Sequence, residues 1–148
     1  MDLETLDAQN QSLIFDHFNE DIAIDLGLHL LALARSRALP VLIDIRTPDR
    51  TLFRASLPGA TPVNENWARR KSNTAFLFQV ASLLVGTRNR AKGETLAKHG
   101  CNPADYAEEG GAVPIRLRGT GVVAVVTVSG LPQREDHALV IEALQSLL

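Results

Sequence analysis

The chain has 148 residues and a formal net charge of -2, with 45% hydrophobic and 22% charged residues. These values are typical of a soluble globular protein and exclude an intrinsically disordered one. The slight acidity argues against a surface built to bind nucleic acid or an anionic membrane. The only cysteine, Cys101, excludes an internal disulfide and a multi-cysteine zinc site.

The N-terminus, MDLETLDAQNQ, has neither the basic nor the apolar region of a signal peptide. Charged residues, histidines or glycines interrupt every apolar stretch before the roughly 20 residues that a membrane-spanning helix needs. We therefore expect a cytoplasmic protein that forms one domain over residues 1–148, without a linker or an internal repeat.

The first predicted element is one long helix over residues 6–38, and the pair Leu39-Pro40 ends it. Gly27 interrupts its pattern and costs about 1 kcal/mol relative to alanine, so we expect a close contact with another helix at that point. The helix is predicted from apolar residues that recur at steps of three and four: Leu13, Ile14, Phe18, Ile22, Leu26 and Leu30.

Two strand hairpins are predicted from alternation and turn signals. VLIDIR directs Val41, Ile43 and Ile45 to one face and its polar residues to the other, which predicts a half-buried strand. The turn TPDR then leads into TLFRASL, an antiparallel partner. Later, RGTG joins VPIRLRG to GVVAVVTVSG, and the second of these is apolar on both faces, which predicts a strand covered on both sides.

Helical segments lie between and after the hairpins. After the loop LPGATPVNEN, Asn64 is predicted to cap a helix that carries Trp67, Arg70, Lys71, Phe78 and Leu84. The segment GETLAKHG predicts a short helical piece that ends at Gly100, and NPADY predicts a turn that begins another short helix. The last helix is predicted over Pro132–Leu148. The resulting order, α-β-β-α-α-β-β-α, predicts an α+β fold with a central antiparallel sheet flanked by helices.

Three consecutive polar residues, Glu135, Asp136 and His137, begin the last helix. Carboxylates in a first turn favour the positive helix end, so this position accounts for both acids without any chemistry. His137 shares a stripe with Val140, Ile141 and Leu144, which predicts that it points inward and needs a hydrogen-bond partner. It could be a structural histidine, a ligand or a proton carrier.

The segment SLPGATPVNENWARRKSN is the polar stretch that core packing explains least. Helix-start N–H groups with nearby cations could bind a carboxylate or a phosphate, or the segment could be a solvated helix face over a packed tryptophan. The pair Gly110-Gly111 is similarly open between a bend into a strand and a close backbone approach to a ligand.

Signatures of known catalytic sites are missing from the chain, which contains no GxGxxG after a strand, GxxxxGK[ST], HExxH or GxSxG. The four histidines include no pair at the i, i+4 spacing that suits a helical metal site, so we predict no metal. Whether the protein is an enzyme stays open.

Four motifs, RASLPG, W-x-R-R-K, GG-x-x-P and VSGLPQ-x-x-DHALV, occur between Leu52 and Leu144. Through them the chain resembles an uncharacterised bacterial and fungal family labelled haem-degrading-domain-like and related to the GlcG/HbpS-like proteins. The resemblance implies a central antiparallel sheet with profilin-like layering, cytoplasmic homo-oligomers, and haem as a cofactor for some distant relatives. By their place in the shared motifs, the candidate ligand-binding residues are Ser56, Asn64, Trp67, Arg70, Lys71, Gly110, Gly111 and His137.

Two functions are consistent with these observations. The first is binding of haem or another small anionic ligand at a subunit interface, with His137 or another histidine as an axial ligand and Arg70 and Lys71 holding carboxylates. The second is a non-enzymatic oligomeric scaffold or adaptor that acts through protein partners. The apolar segment FLFQVASLLVG, Phe76 to Gly86, favours the second, because such a helix is predicted to pack against another subunit.

Overall fold

A five-stranded sheet with the strand order β1-β4-β5-β2-β3 forms the centre of the computed structural model, which describes residues 1–148. The strands are β1 Ile14–Phe15, β2 Leu42–Arg46, β3 Thr51–Ser56, β4 Ala112–Leu117 and β5 Gly121–Ser129. The helices are α1 Leu3–Ser12, α2 Glu20–Ser36, α3 Pro62–Phe78, α4 Ser82–Lys92 and α5 Gln133–Gln145, with a short 3-10 helix over Leu96–His99. The predicted α+β class is confirmed.

Both predicted hairpins are present, since β2 pairs with β3 and β4 pairs with β5 in antiparallel fashion. The two hairpins join through antiparallel pairing of β2 with β5. The sheet is nevertheless mixed, because the two-residue strand β1 adds to the edge of β4 in parallel. The predicted element order lacks this strand and the helix before it.

The prediction of one helix over residues 6–38 is wrong, because that stretch contains α1, β1 and α2. Asn19 begins α2 by accepting a hydrogen bond from the Ile22 N–H at 2.9 Å, which a residue inside a helix could not do. Between the helices, Ile14 and Phe15 pair with residues 116 and 117. The apolar spacing is helical throughout, but tertiary pairing and the cap break the helix.

Three further predictions about helix ends are corrected. Asn64 is not the N-cap of α3; Thr61 is, and the Asn64 carboxamide oxygen accepts from the Thr61 N–H at 2.8 Å as the third helical residue. The predicted helix through Phe78 and Leu84 divides at Gln79, which has φ 63° and separates α3 from α4. NPADY forms a turn without a helix. Gly100 ends the 3-10 helix with φ 75°, as predicted.

The two faces of the sheet differ in chemistry. The main core of 26 buried residues lies on the face that carries α1, α2, α4 and α5. On the other face α3 packs through only a small apolar cluster, Ala75 with Ala112 and Val125. The remaining buried side chains of that layer include Leu42 and Ala68 but are mostly polar: Asp44, Lys71, Ser72, Thr74, Thr127 and Ser129. The strand β2 is therefore buried on both faces, not half-buried as predicted.

The apolar segment Phe76 to Gly86 does not form one helix, because it is divided between the end of α3 and the start of α4. Val80, Ala81 and Leu83–Val85 lie in the main core of the chain itself, and of the apolar residues of the segment only Leu77 is largely exposed, at 52%. Gly27 does permit a close approach, although to a strand: a Cβ there would lie 2.3 Å from Cγ of Phe53. No helix is long and apolar enough to cross a membrane.

Candidate functional site

A cleft of about 230 Å³ opens where the first half of α3, the loop before β4 and the start of α5 meet. The polar layer beneath α3 reaches the surface at this point, so the cleft walls carry few apolar groups. Its lining residues are Asn64, Trp67, Lys71, Glu109, Gly110, Ser129, Gly130, Leu131, Gln133 and Asp136.

Lys71 is the central side chain of this cleft, and it is only 2% exposed. Its ammonium group donates to the carbonyl oxygens of Gly110 at 3.0 Å and Val128 at 2.8 Å, and to Asp136 Oδ2 at 3.2 Å. An ammonium has three donors, and all three are used. Lys71 therefore fastens α3 to β5 and α5, and it is not a solvated cation of the predicted helix face.

Asp136 is buried as well, at 3% exposed, so the helix end alone does not account for this acid. Besides Lys71, it accepts from the Leu131 N–H at 2.9 Å through Oδ1. Burial raises the pKa of Asp136 and lowers the pKa of Lys71, and the charge of each partner partly offsets the shift in the other. Three acceptors around the ammonium favour the charged pair. Glu135 is exposed and fits the helix-end explanation.

The pair Gly110-Gly111 lies directly beside the ion pair of Lys71 and Asp136. At Gly111, with φ +136°, a Cβ would lie 2.4 Å from both Lys71 Nζ and the Val128 carbonyl oxygen. The N–H of Gly110 donates to Gln133 Oε1 at 2.9 Å. The structure shows the first of the two interpretations of this pair, a bend that leads into β4, and the close backbone approach there is to Lys71 of the same chain and not to a ligand.

Several polar groups of the cleft have no partner within the chain. Ser129 is 2% exposed and its hydroxyl forms no hydrogen bond, although the residue lines the cleft. The amide NH₂ groups of Asn64 and Gln133 are also unengaged, since only their oxygens are bonded. No side chain caps α5; the N–H groups of Glu135 and Asp136 donate to the Pro132 carbonyl, and those of Gln133 and Arg134 stay free. Because Ser129 lines the cleft, its hydroxyl is available to a ligand or to water there.

Four of the predicted site residues lie outside the cleft lining: Ser56, Arg70, Gly111 and His137. Arg70 stacks on Trp67, with its guanidinium carbon 4.5 Å from the ring centroid, and donates through Nε to the Pro103 carbonyl at 3.0 Å. It therefore holds the loop 102–106 against α3. Ser56 is exposed at the end of β3 and does not line the cleft.

His137 is separate from the cleft. It points inward as predicted, at 1% exposed, and its Nε2 lies 2.9 Å from Gln9 Oε1. Its Nδ1 has no partner, and the void beside it measures about 10 Å³. Burial lowers the pKa of His137 to about 4, so the ring is neutral at physiological pH. These contacts favour a structural histidine that holds α1 on α5.

Sequence reasoning missed six residues of the cleft, and four of them have polar side chains: Glu109, Ser129, Gln133 and Asp136. For Asp136 a signal was present, because it shares a helical phase with Val140 and Ala143, four and seven residues later. The phase that placed His137 inside the protein applies equally to Asp136. Nothing local marks the other three, since their place in the cleft depends on how α3 crosses the sheet.

The fold and the cleft define an α+β protein of the HbpS type, and sequence comparison agrees. A family model described as haem degrading protein HbpS-like matches residues 18–145. A UPF0303 protein of Paraburkholderia phymatum is 50% identical over 144 residues, 97% of this chain and 87% of that protein. The chain therefore belongs to the HbpS-like family.

Solved structures show the same fold. The crystal structure of the Ybr137w protein is 31% identical, covers 97% of this chain and 86% of its own, and superposes with a TM-score of 0.88. A haem complex of the PduOC protein is 18% identical, covers 89% of this chain and 95% of its own, and has a TM-score of 0.71. At that identity the second similarity concerns the fold alone.

Proposed function

We propose that the protein binds a small anionic metabolite in the cleft between α3 and α5. The proposal rests on a set of unengaged hydrogen-bond donors in the cleft: the Ser129 hydroxyl, the side-chain amides of Asn64 and Gln133, and the uncapped first turn of α5. A helix N-terminus attracts anions through its free N–H groups and its dipole. Lys71 neutralises Asp136, so that carboxylate does not cancel this attraction.

The walls of the cleft restrict the size and shape of the ligand. A volume of about 230 Å³ admits a molecule of a few heavy atoms. Trp67 offers a flat wall that arginine stacking holds in place. Glu109 places a half-buried carboxylate at the same cleft, which favours a ligand with its charge at one end, directed toward α5.

Binding of acetate, malonate, citrate and phosphate, followed by calorimetry and thermal shift, tests this function. We expect at least one of these anions to bind, and Ser129→Ala to weaken it about tenfold, because a hydrogen bond to a charged group is worth about 1.5–3 kcal/mol. Ser56→Ala is the matched control, since Ser56 is exposed outside the cleft. Failure of all four anions, or equal losses in both variants, would contradict the proposal.

Haem is a second candidate, although not in this cleft. No histidine, cysteine, methionine or tyrosine lines it, so no common axial ligand is available there. His137 does not fit either, because it is buried beside a void of about 10 Å³. Of the alternatives that the sequence offered, a histidine other than His137 is therefore the better axial ligand.

A different groove, of about 580 Å³, fits haem better. It is lined by Ser12, Ile14, Phe15, Asp16, His17, Phe18, Ile22, Ile115, Arg118, Leu147 and Leu148. The exposed imidazole of His17 makes no hydrogen bond and would hold the iron, while Arg118, which pairs with Asp16 at 3.0 Å, would hold a propionate. When bound, haem supplies redox and oxygen chemistry, and the chain supplies apolar walls that limit water.

A haem titration separates the histidines. If haem binds in this groove, His17→Ala removes the axial ligand. The haem concentration that gives half of the Soret shift should then rise at least about tenfold. His137→Ala should leave the spectrum of the complex unchanged, and His99→Ala controls for an exposed histidine elsewhere. An absent shift, or one that persists fully in His17→Ala, would remove haem from this groove.

The scaffold alternative loses the observation that favoured it. Most of the apolar segment Phe76 to Gly86 packs into the core of its own chain, and Leu77 is its only apolar side chain that is largely exposed to a partner. The ligand-binding function is therefore the better supported of the two.

A further inference from the structure

Glu109 carries a charge that a plain anion in the cleft leaves without a partner. It lines the cleft, is half-buried and forms neither an ion pair nor a side-chain hydrogen bond. Its neighbour Glu108, by contrast, accepts from Asn89 Nδ2 at 2.7 Å. Lys71 is the only cation among the lining residues, and Asp136 with two carbonyl oxygens uses its three donors. Glu109 therefore leaves the cleft with one uncompensated negative charge.

The loop that carries Glu109 rests on the first turn of α5. The Gly110 N–H donates to Gln133 Oε1 at 2.9 Å, and a Cβ on Gly110 would lie 2.6 Å from the Gln133 carbonyl oxygen. In that turn the N–H groups of Gln133 and Arg134 are free. Ser129, at 2% exposed, presents its unbonded hydroxyl to the same cleft. Donors for a carboxylate and an acceptor for a cation thus stand on adjoining segments.

We propose that the cleft binds a small α-amino acid, whose carboxylate meets Ser129 and the start of α5 while its ammonium group meets Glu109. This ligand class rests on the proposed function, since it presupposes the same anion site. Glu109 would repel a plain carboxylate, because solvent and salt screen charges weakly in a half-buried cleft. In an α-amino acid a single carbon atom separates the two charged groups, which suits donors and an acceptor on adjoining segments.

The remaining walls restrict the side chain of the amino acid. A volume of about 230 Å³ leaves room for only a few heavy atoms beyond the two charged groups. Trp67 and Leu131 are the apolar residues of the lining, and they favour a small apolar side chain. A second charged group would find no free partner, because the charges of Lys71 and Asp136 are paired. Glycine and L-alanine are therefore the test ligands.

Calorimetric titration with two matched pairs tests the proposal, glycine against acetate and L-alanine against propanoate. The members of each pair differ only in the α-ammonium group. At neutral pH we expect at least one amino acid to bind at least about tenfold more tightly than its partner, as a hydrogen bond between charged groups allows. Glu109→Gln should remove most of this preference by weakening the amino acid. It should leave the carboxylate bound as well as before, which also shows that the variant is folded.

Glu108→Gln is the matched control, since it removes the same charge one residue away and outside the cleft lining. It should preserve the preference for the amino acid. Equal binding within each pair, or equal losses in Glu108→Gln and Glu109→Gln, would overturn this proposal and leave anion binding in place. If neither pair binds, the α-amino acid is excluded, and the titrations of the four anions with Ser129→Ala decide the proposed function separately.

Discussion

Replacement of Lys71 by methionine should lower the free energy of unfolding by about 3–5 kcal/mol, as expected when one partner of a buried ion pair is removed. The substitution leaves the Asp136 carboxylate buried without its cation and takes the donor from two carbonyl oxygens. Urea denaturation at neutral pH measures the loss. It is the largest effect that we expect from any single polar side chain of the cleft.

Two comparisons make this result specific. Arg69→Met removes an exposed pair with Asp105, whose side chains are 45% and 52% exposed, and should cost no more than about 1 kcal/mol. The double variant Lys71→Met, Asp136→Leu should recover much of the loss, because no buried charge remains. A loss below about 1 kcal/mol in Lys71→Met alone would mean that the pair is neutral in the folded protein.

Acidification should destabilise the native chain more than a His137→Gln variant, by up to about 3 kcal/mol between pH 7 and pH 4. In the folded chain burial lowers the pKa of His137 to about 4, against 6.5 in the unfolded chain. The unfolded state therefore binds the proton first as the pH falls. The contribution of His137 is complete above pH 6.5 and is lost as the pH approaches 4.

The effect of His137 is measured as the difference in the free energy of unfolding between the native chain and the His137→Gln variant at each pH. Burial raises the pKa of Asp44 and of Asp136, and these carboxyls act in the opposite direction as the pH falls. Both proteins contain them, so their contribution cancels in the difference. Denaturant titrations at pH 7, 6, 5 and 4 measure this difference. A difference that does not change with pH would show that His137 is protonated as readily in the folded chain as in the unfolded one.

The same kind of local signal succeeded and failed in different parts of the chain. Alternation with a turn at TPDR and at RGTG predicted both hairpins, because adjacent strands with a short turn have one favourable arrangement. Helical spacing failed across residues 6–38, because Leu13 and Ile14 fit that spacing although Leu13 is buried at the end of α1 and Ile14 pairs with β4 in a short strand. Periodicity reports which residues are buried and says less about what buries them.

The sequence predicted the candidate site only in part as well. The sequence placed Asn64, Trp67, Lys71, Gly110 and Gly111 in one candidate site, and the structure brings them together. It misjudged the chemistry of Lys71 and Asp136, since a lysine beside two arginines and an acid at a helix start are usually solvated. Their 65-residue separation along the chain hides the pair from any local pattern.

By itself, the sequence determined the α+β class, the two hairpins, the inward direction of His137 and the membership of the HbpS-like family. Each follows from spacing or motifs that act over a few neighbouring residues. Only the tertiary structure decided that α3 covers the sheet through a mostly polar layer and that Lys71 and Asp136 pair beneath it. Burial makes those distinctions, because the same side chain is a solvated charge at a surface and a structural bond inside.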